Sequence, residues 1–194
     1  MTRTYDMTLR GKLAAETTER IVTATETLLG DCPWAAVTLK AIADHAGVTV
    51  QTVLRHMGSR DGCVEAVGRR LAARIEEQRG RSQPGDVDAA VADLVAHYEA
   101  EGRLVLNVLA QEDGGDPLLQ NAAATGRAFH RGWVERCFAP WLADDDAATR
   151  ERTDALVAAT DLYVWKLLRL DLGRSREVTE AVVGRLVRAV LEGS

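Results

Sequence analysis

Gln51 and Arg55 stand four residues apart, one helical turn, with Val50 and Thr52 beside the first and His56 beside the second. These side chains share one chemistry, the reading of flat hydrogen-bonding edges. A Gln amide pairs with the N6 and N7 edge of adenine, and an Arg guanidinium pairs with O6 and N7 of guanine or with a phosphate. Thr52 or Val50 can meet a thymine methyl. Thr38, Lys40, Thr49 and Arg60 fall at expected helix starts, where free backbone N–H groups and the helix dipole favour phosphate oxygens. Taken singly, each of these residues is also an ordinary solvated side chain. The elements that hold them must therefore carry the inference.

Those elements are legible between Thr38 and Met57. Thr38 can cap a first short helix over about 39–45. Ala43 is small enough for a second helix to cross closely. Gly47, four residues later, supplies the left-handed turn, Val48 plugs the corner, and Thr49 caps a second short helix over about 50–56. Val53 faces back onto Ile42 and Ala43. This offset pattern is that of a helix-turn-helix, whose second helix enters the major groove. A helix over about 17–29, capped by Thr17 or Thr18 and carrying Ile21, Val22, Ala24, Thr25, Leu28 and Leu29 as its apolar stripe, precedes it. Another runs from about Arg60 to Arg79.

The remaining chemistry is sparse. The sequence has no phosphate-cradling glycine loop, no nucleophile elbow and no His-Glu-x-x-His. Cys32, Cys63 and Cys137 are far apart and read as reduced thiols without metal spacing. No catalytic residue, metal or cofactor is expected, so an enzyme is the weaker alternative. The 194 residues are 46% hydrophobic and 27% charged, with Gly and Pro scattered, a helical composition able to bury a core. No membrane span is expected. The polar start points to a cytoplasmic protein rather than a secreted one. The net charge is −5. Residues 1–80 hold 11 Lys+Arg against 10 Asp+Glu, and the remainder 13 against 19. Such a balance argues against a purely architectural DNA-binding protein, which is usually basic.

Gly80–Gly85 is the clearest break in the chain. It divides an arm at 1–16 and a DNA-binding domain at 17–80 from a second domain at 81–194. Helices are expected there at about 87–100, 103–111, 117–143, 147–171 and 176–192, with no sheet. Pro140 should bend or end the third of these. Leu119, Ala122, Ala123, Gly126, Phe129, His130, Trp133, Cys137 and Trp141 form a broad face on that helix, its small residues at one end and aromatics at the other. An aromatic stripe at this spacing is usually core. The last two helices are apolar on more than one face, which suits a homodimer.

The run Thr18-Glu-Arg-Ile…Ala24…Leu28-Leu29, Ala36-Val37-Thr38…Ile42-Ala43…Ala46-Gly47-Val48-Thr49…Thr52…Arg55-His56…Ser59-Arg60 resembles the N-terminal domain of the TetR (tetracycline-repressor) family over about residues 17–75. Thr160–Arg169 resembles a segment of some members. The sequence departs from the family at Leu54, where an aromatic is usual, at Val50, where Lys is common, and at Met57, where Phe is common. The resemblance implies an all-α homodimer that binds a palindromic DNA operator and is released from it by a small, mainly apolar effector. It also implies an effector site within the second domain. There His97, Tyr98, Asn107, Gln111, Phe129, His130, Trp133, Cys137 and Trp165 are the candidate contacts.

Overall fold

The computed structural model describes residues 2–144 and 146–193, the first of these through residue 8 as backbone alone. Among the described residues the structure is helical with no strand. The helices are α1 (Thr2–Asp31), α2 (Leu39–Ala46), α3 (Val50–Met57), α4 (Arg60–Arg79), α5 (Val87–Leu109), α6 (Pro117–Cys137), α7 (Ala147–Ala159), α8 (Leu162–Lys166, continued as one π-helical turn to Asp171) and α9 (Arg176–Glu192). They sort into two compact units. The first comprises residues 1–72 and 107–119, the second residues 73–106 and 120–194. Helices α4, α5 and α6 each run from one unit into the other, so the division follows no linker, and the Gly80–Gly85 break lies inside the second unit.

In the first unit α1 packs on α2 and α3. Ile21, Val22, Ala24, Thr25, Leu28 and Leu29 of α1 are buried, as their spacing requires, with Val37, Ile42, Ala43, Ala46, Val53, Cys63 and Val67. Arg70 of α4 ties the two long helices together by pairing with Glu19 at 2.7 Å and Glu26 at 3.1 Å. Asn107 donates to the carbonyls of Leu29 and Cys32 at 2.6 and 2.9 Å, satisfying the end of α1. Helical backbone extends over residues the sequence reading treats as an arm, since α1 begins at Thr2.

In the second unit the core comprises Ala90, Val91, Leu94, Val95, Trp133, Val134, Phe138, Leu156, Trp165, Val183 and Val187. Two boundaries differ from the sequence reading. Helices expected at 87–100 and 103–111 are one helix, because Gly102 is a point of close approach rather than a break. A Cβ there would stand 2.7 Å from the Trp165 ring. Conversely, 147–171 is interrupted at Thr160–Asp161, where the Asp161 carboxylate accepts from the Tyr163 N–H and starts α8 afresh. Pro140 lies in a short 3₁₀ turn just past the end of α6.

Candidate nucleic-acid interface and the polar interior of the second unit

Local hydrogen bonding fixes the two short helices as the sequence pattern requires. Thr38 Oγ1 accepts from Ala41 N at 3.1 Å and caps α2. Gly47 ends α2 at φ 63°, ψ 39°, a conformation L side chains rarely adopt, and Val48 N donates to Ala43 O at 3.0 Å. Thr49 Oγ1 accepts from Thr52 N at 3.2 Å and caps α3. Val53 of α3 is fully buried, as are Ile42 and Ala43 of α2, on which α3 packs. Ser59 caps α4 by accepting from Gly62 N at 3.0 Å.

This frame leaves Val50, Gln51 and Arg55 exposed on α3, with Thr52 half-buried and its hydroxyl 3.0 Å from that of Thr49. Lys40 is exposed on α2 and pairs with Asp44 at 2.6 Å, a surface i,i+4 pair of little strength. Two of the expected DNA contacts have other partners. His56 turns to α1, its Nδ1 2.9 Å from Thr18 Oγ1. Arg60 lies over the Trp34 ring at 4.0 Å and reaches Asp116 at 3.5 Å. Trp34 also donates from Nε1 to Asp116 at 2.6 Å, which holds the Asp116 carboxyl below the usual carboxylate range. Arg60 thus buttresses the first turn of α4.

Seven of the nine expected effector contacts lie in the second unit; Asn107 and Gln111 do not. Both belong to the first unit, Asn107 on the α1 carbonyls and Gln111 accepting from Trp34 N. Of the rest, His97, Tyr98, His130, Trp133, Cys137 and Trp165 are buried. Phe129 is 40% exposed, and Ala122 and Gly126 are exposed too. The inward face of α6 is therefore narrower than the sequence reading makes it. Trp165 is locked in place, donating from Nε1 to Glu99 at 2.8 Å, while Arg169 clasps the same carboxylate through two bonds at 2.6 and 2.9 Å.

At the centre of the buried group stands a residue the sequence reading missed, Arg79. An Arg one residue before Gly80 reads as an exposed cation complementing a helix C-terminus, and nothing local marks it as buried. Its Nη2 donates to His130 Nδ1 at 2.9 Å. An Arg can only donate, so His130 carries its proton on Nε2, which faces Thr160 Oγ1 at 3.1 Å. Thr160 Oγ1 in turn donates to Leu156 O, and Tyr98 Oη donates to Thr160 O at 3.0 Å. Burial, reinforced by the Arg79 charge, pushes His130 down to about 4 and His97 down to about 3. Burial pushes Tyr98 up to about 12. All three are neutral near pH 7. Among the described residues no three His, Cys, Asp or Glu side chains gather into a metal-holding group, and no helix is long and apolar enough to cross a membrane.

Residues 21–67 match the sequence pattern of bacterial regulatory proteins of the tetR family. Among curated proteins none is significantly similar in sequence. Solved structures share the fold. A transcriptional regulator from Rhodococcus sp. Rha1 superposes with a TM-score of 0.70 at 16% identity, over 91% of this chain and 96% of that one. A TetR-family transcriptional regulator from Streptomyces coelicolor does so with a TM-score of 0.64 at 20% identity, over 100% and 96%. At these identities the likeness speaks to the fold.

Proposed function

We propose, from the match of residues 21–67 to bacterial regulatory proteins of the tetR family, that this chain is a ligand-responsive repressor of that family. In this reading it works in the cytoplasm as a homodimer on a palindromic operator, and a small, mainly apolar molecule bound in the second unit releases it. The observation that carries the reading is the outward pair Gln51 and Arg55 on α3, one turn apart on a helix capped at both ends of the motif. Gln51, Thr52 and Arg55 read bases, Val50 adds an apolar contact, and Lys40 with the starts of α2 and α3 at Thr38 and Thr49 contacts phosphates. His56 and Arg60 act from behind, holding α3 to α1 and bracing α4.

Two reading heads require two copies. Tyr163, Leu167 and Leu172 around α8 and Val178 and Leu186 on α9 are exposed large apolar residues. On α9, Val183, Val187 and Leu191 face the unit's own core, while Val178, Val182, Leu186 and Ala189 face outward. That outward stripe is where the second copy packs. Gly184, by contrast, is buried within the chain. In this reading a ligand that packs against the C-terminal end of α4 tilts that helix and changes the spacing of the two recognition helices. A coupling of about 1–3 kcal/mol would shift DNA affinity roughly 5–150-fold.

Selection of bound fragments from the source genome supplies the site, and titration with that site tests the reading. Arg55→Ala should cost about 1–3 kcal/mol of binding and relax specificity at one base pair. A Gln51→Ala/Arg55→Ala double variant that binds as well as the wild type would sink the proposal. A Leu167→Glu/Leu186→Glu variant should sediment as a monomer; an unchanged dimer would move the interface elsewhere.

A further inference from the structure

The second unit buries a positive charge that no acid among the described residues neutralises. Arg79 is 3% exposed. Among the described residues no Asp or Glu pairs with it. Nearby acids are committed: Glu101 to Arg74 at 2.8 Å, Glu99 to Arg169 and Trp165, and Asp161 to the start of α8. Arg136 adds positive charge close by, donating to the carbonyls of Arg79 and Ser82. His97 and His130 are neutral.

Aromatic rings cover the guanidinium. Its Cζ lies 4.3 Å from the Trp133 ring centre, 5.7 Å from that of Phe129 and 5.8 Å from that of Tyr98. Cation–π contacts of this kind compensate the face of a guanidinium. The N–H groups lie in its plane and need acceptors. One has His130 and the guanidinium also engages the Tyr98 hydroxyl, while Arg79 Nε is buried without a partner. The same is true of Trp133 Nε1. These two unbonded donors therefore lie in one locality, around one buried charge. Buried polar groups are nearly always bonded, and an uncompensated buried charge is strongly destabilising.

We propose that this cluster is the recognition site for a small monocarboxylic acid with an aromatic or aliphatic body. Its carboxylate lies against the guanidinium of Arg79 and takes Trp133 Nε1, while its body packs on Tyr98, Trp133 and Phe129. A planar carboxylate matches the in-plane fork of an Arg better than any other small anion. Arg136 is committed to the carbonyls of Arg79 and Ser82, so the one guanidinium that faces the rings calls for one negative charge, and a phosphate dianion would bring a second. Phe129, 40% exposed, is the member of the cluster nearest to solvent. The proposal deepens the repressor reading and rests on it only in making this acid the effector.

The test uses the full dimeric protein and a panel of straight-chain and aryl monocarboxylates, from acetate to decanoate and from benzoate to phenylpropionate, each beside its primary amide. Chloride and phosphate serve as further arms. Binding is followed by tryptophan fluorescence and by thermal denaturation, and each binder is carried into the operator titration. At least one acid should bind, at least tenfold more tightly than its amide. Arg79→Gln should abolish that preference. Trp133→Phe, which keeps the ring and removes the donor, should weaken the acid severalfold and the amide little, and it decides the matter if Arg79→Gln does not fold. Amides binding as well as acids, equal protection by chloride or phosphate, or no acid binding would each overturn the carboxylate site. Arg79-dependent acid binding that leaves operator affinity unchanged keeps the site and removes the effector reading. Release of DNA by neutral compounds alone keeps the effector reading and removes the site.

Discussion

In the first unit Thr38, Thr49 and Ser59 each accept a backbone N–H three residues on, at helix starts open to water. In the second, the polar side chains of Tyr98, His130 and Thr160 meet inside the core across sequence separations of 62 and 30 residues, with Arg79 added across 51. One unit uses polar groups to define helix ends and leaves a face outward for recognition. The other places them where desolvation makes every unmade bond costly. A head that must fit one DNA surface can be specified locally. An interior proposed to discriminate small molecules draws its groups from several helices.

The largest expected consequence of this contrast is in acid. His97 and His130 are neutral and buried in the fold, whereas in the unfolded chain each takes up a proton below about pH 6.5. The unfolded state then binds more protons, so stability falls as pH drops from about 6.5 towards the depressed folded values. Each histidine can contribute up to about 1.4 kcal/mol per pH unit within that window. Urea denaturation between pH 7 and 5, above the range where ordinary carboxylates titrate, should show this slope. A His97→Gln/His130→Gln variant should flatten it, whatever its absolute stability. An equal slope in the variant would break the comparison, because the acid-sensitive groups would then lie outside this interior.

A smaller effect separates two glycines of the second unit. Gly102→Ala drives its Cβ into Trp165 at 2.7–2.8 Å, against a ring held by Glu99 and, through Glu99, by Arg169. The ring cannot retreat without breaking those bonds, so the substitution should cost about 1–3 kcal/mol. Gly184→Ala meets only the guanidinium tip of Arg188 at 3.2 Å, which can swing aside. It should be neutral or stabilise by up to about 1 kcal/mol through helix propensity. Denaturation midpoints decide both, and equal losses would mean that Trp165 is less firmly held than its bonds suggest.

The same contrast explains what was legible in the sequence. Ala43, Gly47, Val48, Thr49 and Val53 act within one short stretch, each through a neighbour a few residues away, so their spacing alone specifies the motif. The two stripes of α9 were legible for the same reason. Gly102 was misread as a break because its role lies in Trp165, far along the chain. Asn107 and Gln111 were grouped with the effector site because the resemblance implies one within these helices, yet they sit at and just past the end of α5 and serve α1 and Trp34. Arg79 was missed outright, because only the fold reveals that a cation beside a glycine at a helix end is buried. Of the expected DNA contacts, the phase of α3 marked Gln51 and Arg55 as outward. It could not show that Thr18 engages His56 or that Trp34 engages Arg60.

The smallest predicted effect tests whether the head is as locally specified as this argument requires. Thr49 is exposed, and its hydroxyl serves the N–H and the side chain of Thr52. Thr49→Ala leaves one N–H of the first turn of α3 without its side-chain partner, but that turn is open to water, which can replace the bond in part. The loss should be about 1 kcal/mol, and Thr49→Ser should recover most of it. The residues next to the cap bear on recognition, so operator affinity should fall as well. Tryptophan positions supply the discriminating readout: Trp34 lies in the first unit, and Trp133, Trp141 and Trp165 in the second. With Trp34 as the only tryptophan left, its transition should shift on Thr49→Ala. With Trp34→Phe, the remaining three should report a smaller shift or none. Equal shifts from both sets would mean that the units melt together, and that a hydroxyl at the head is felt in the interior where Arg79 lies.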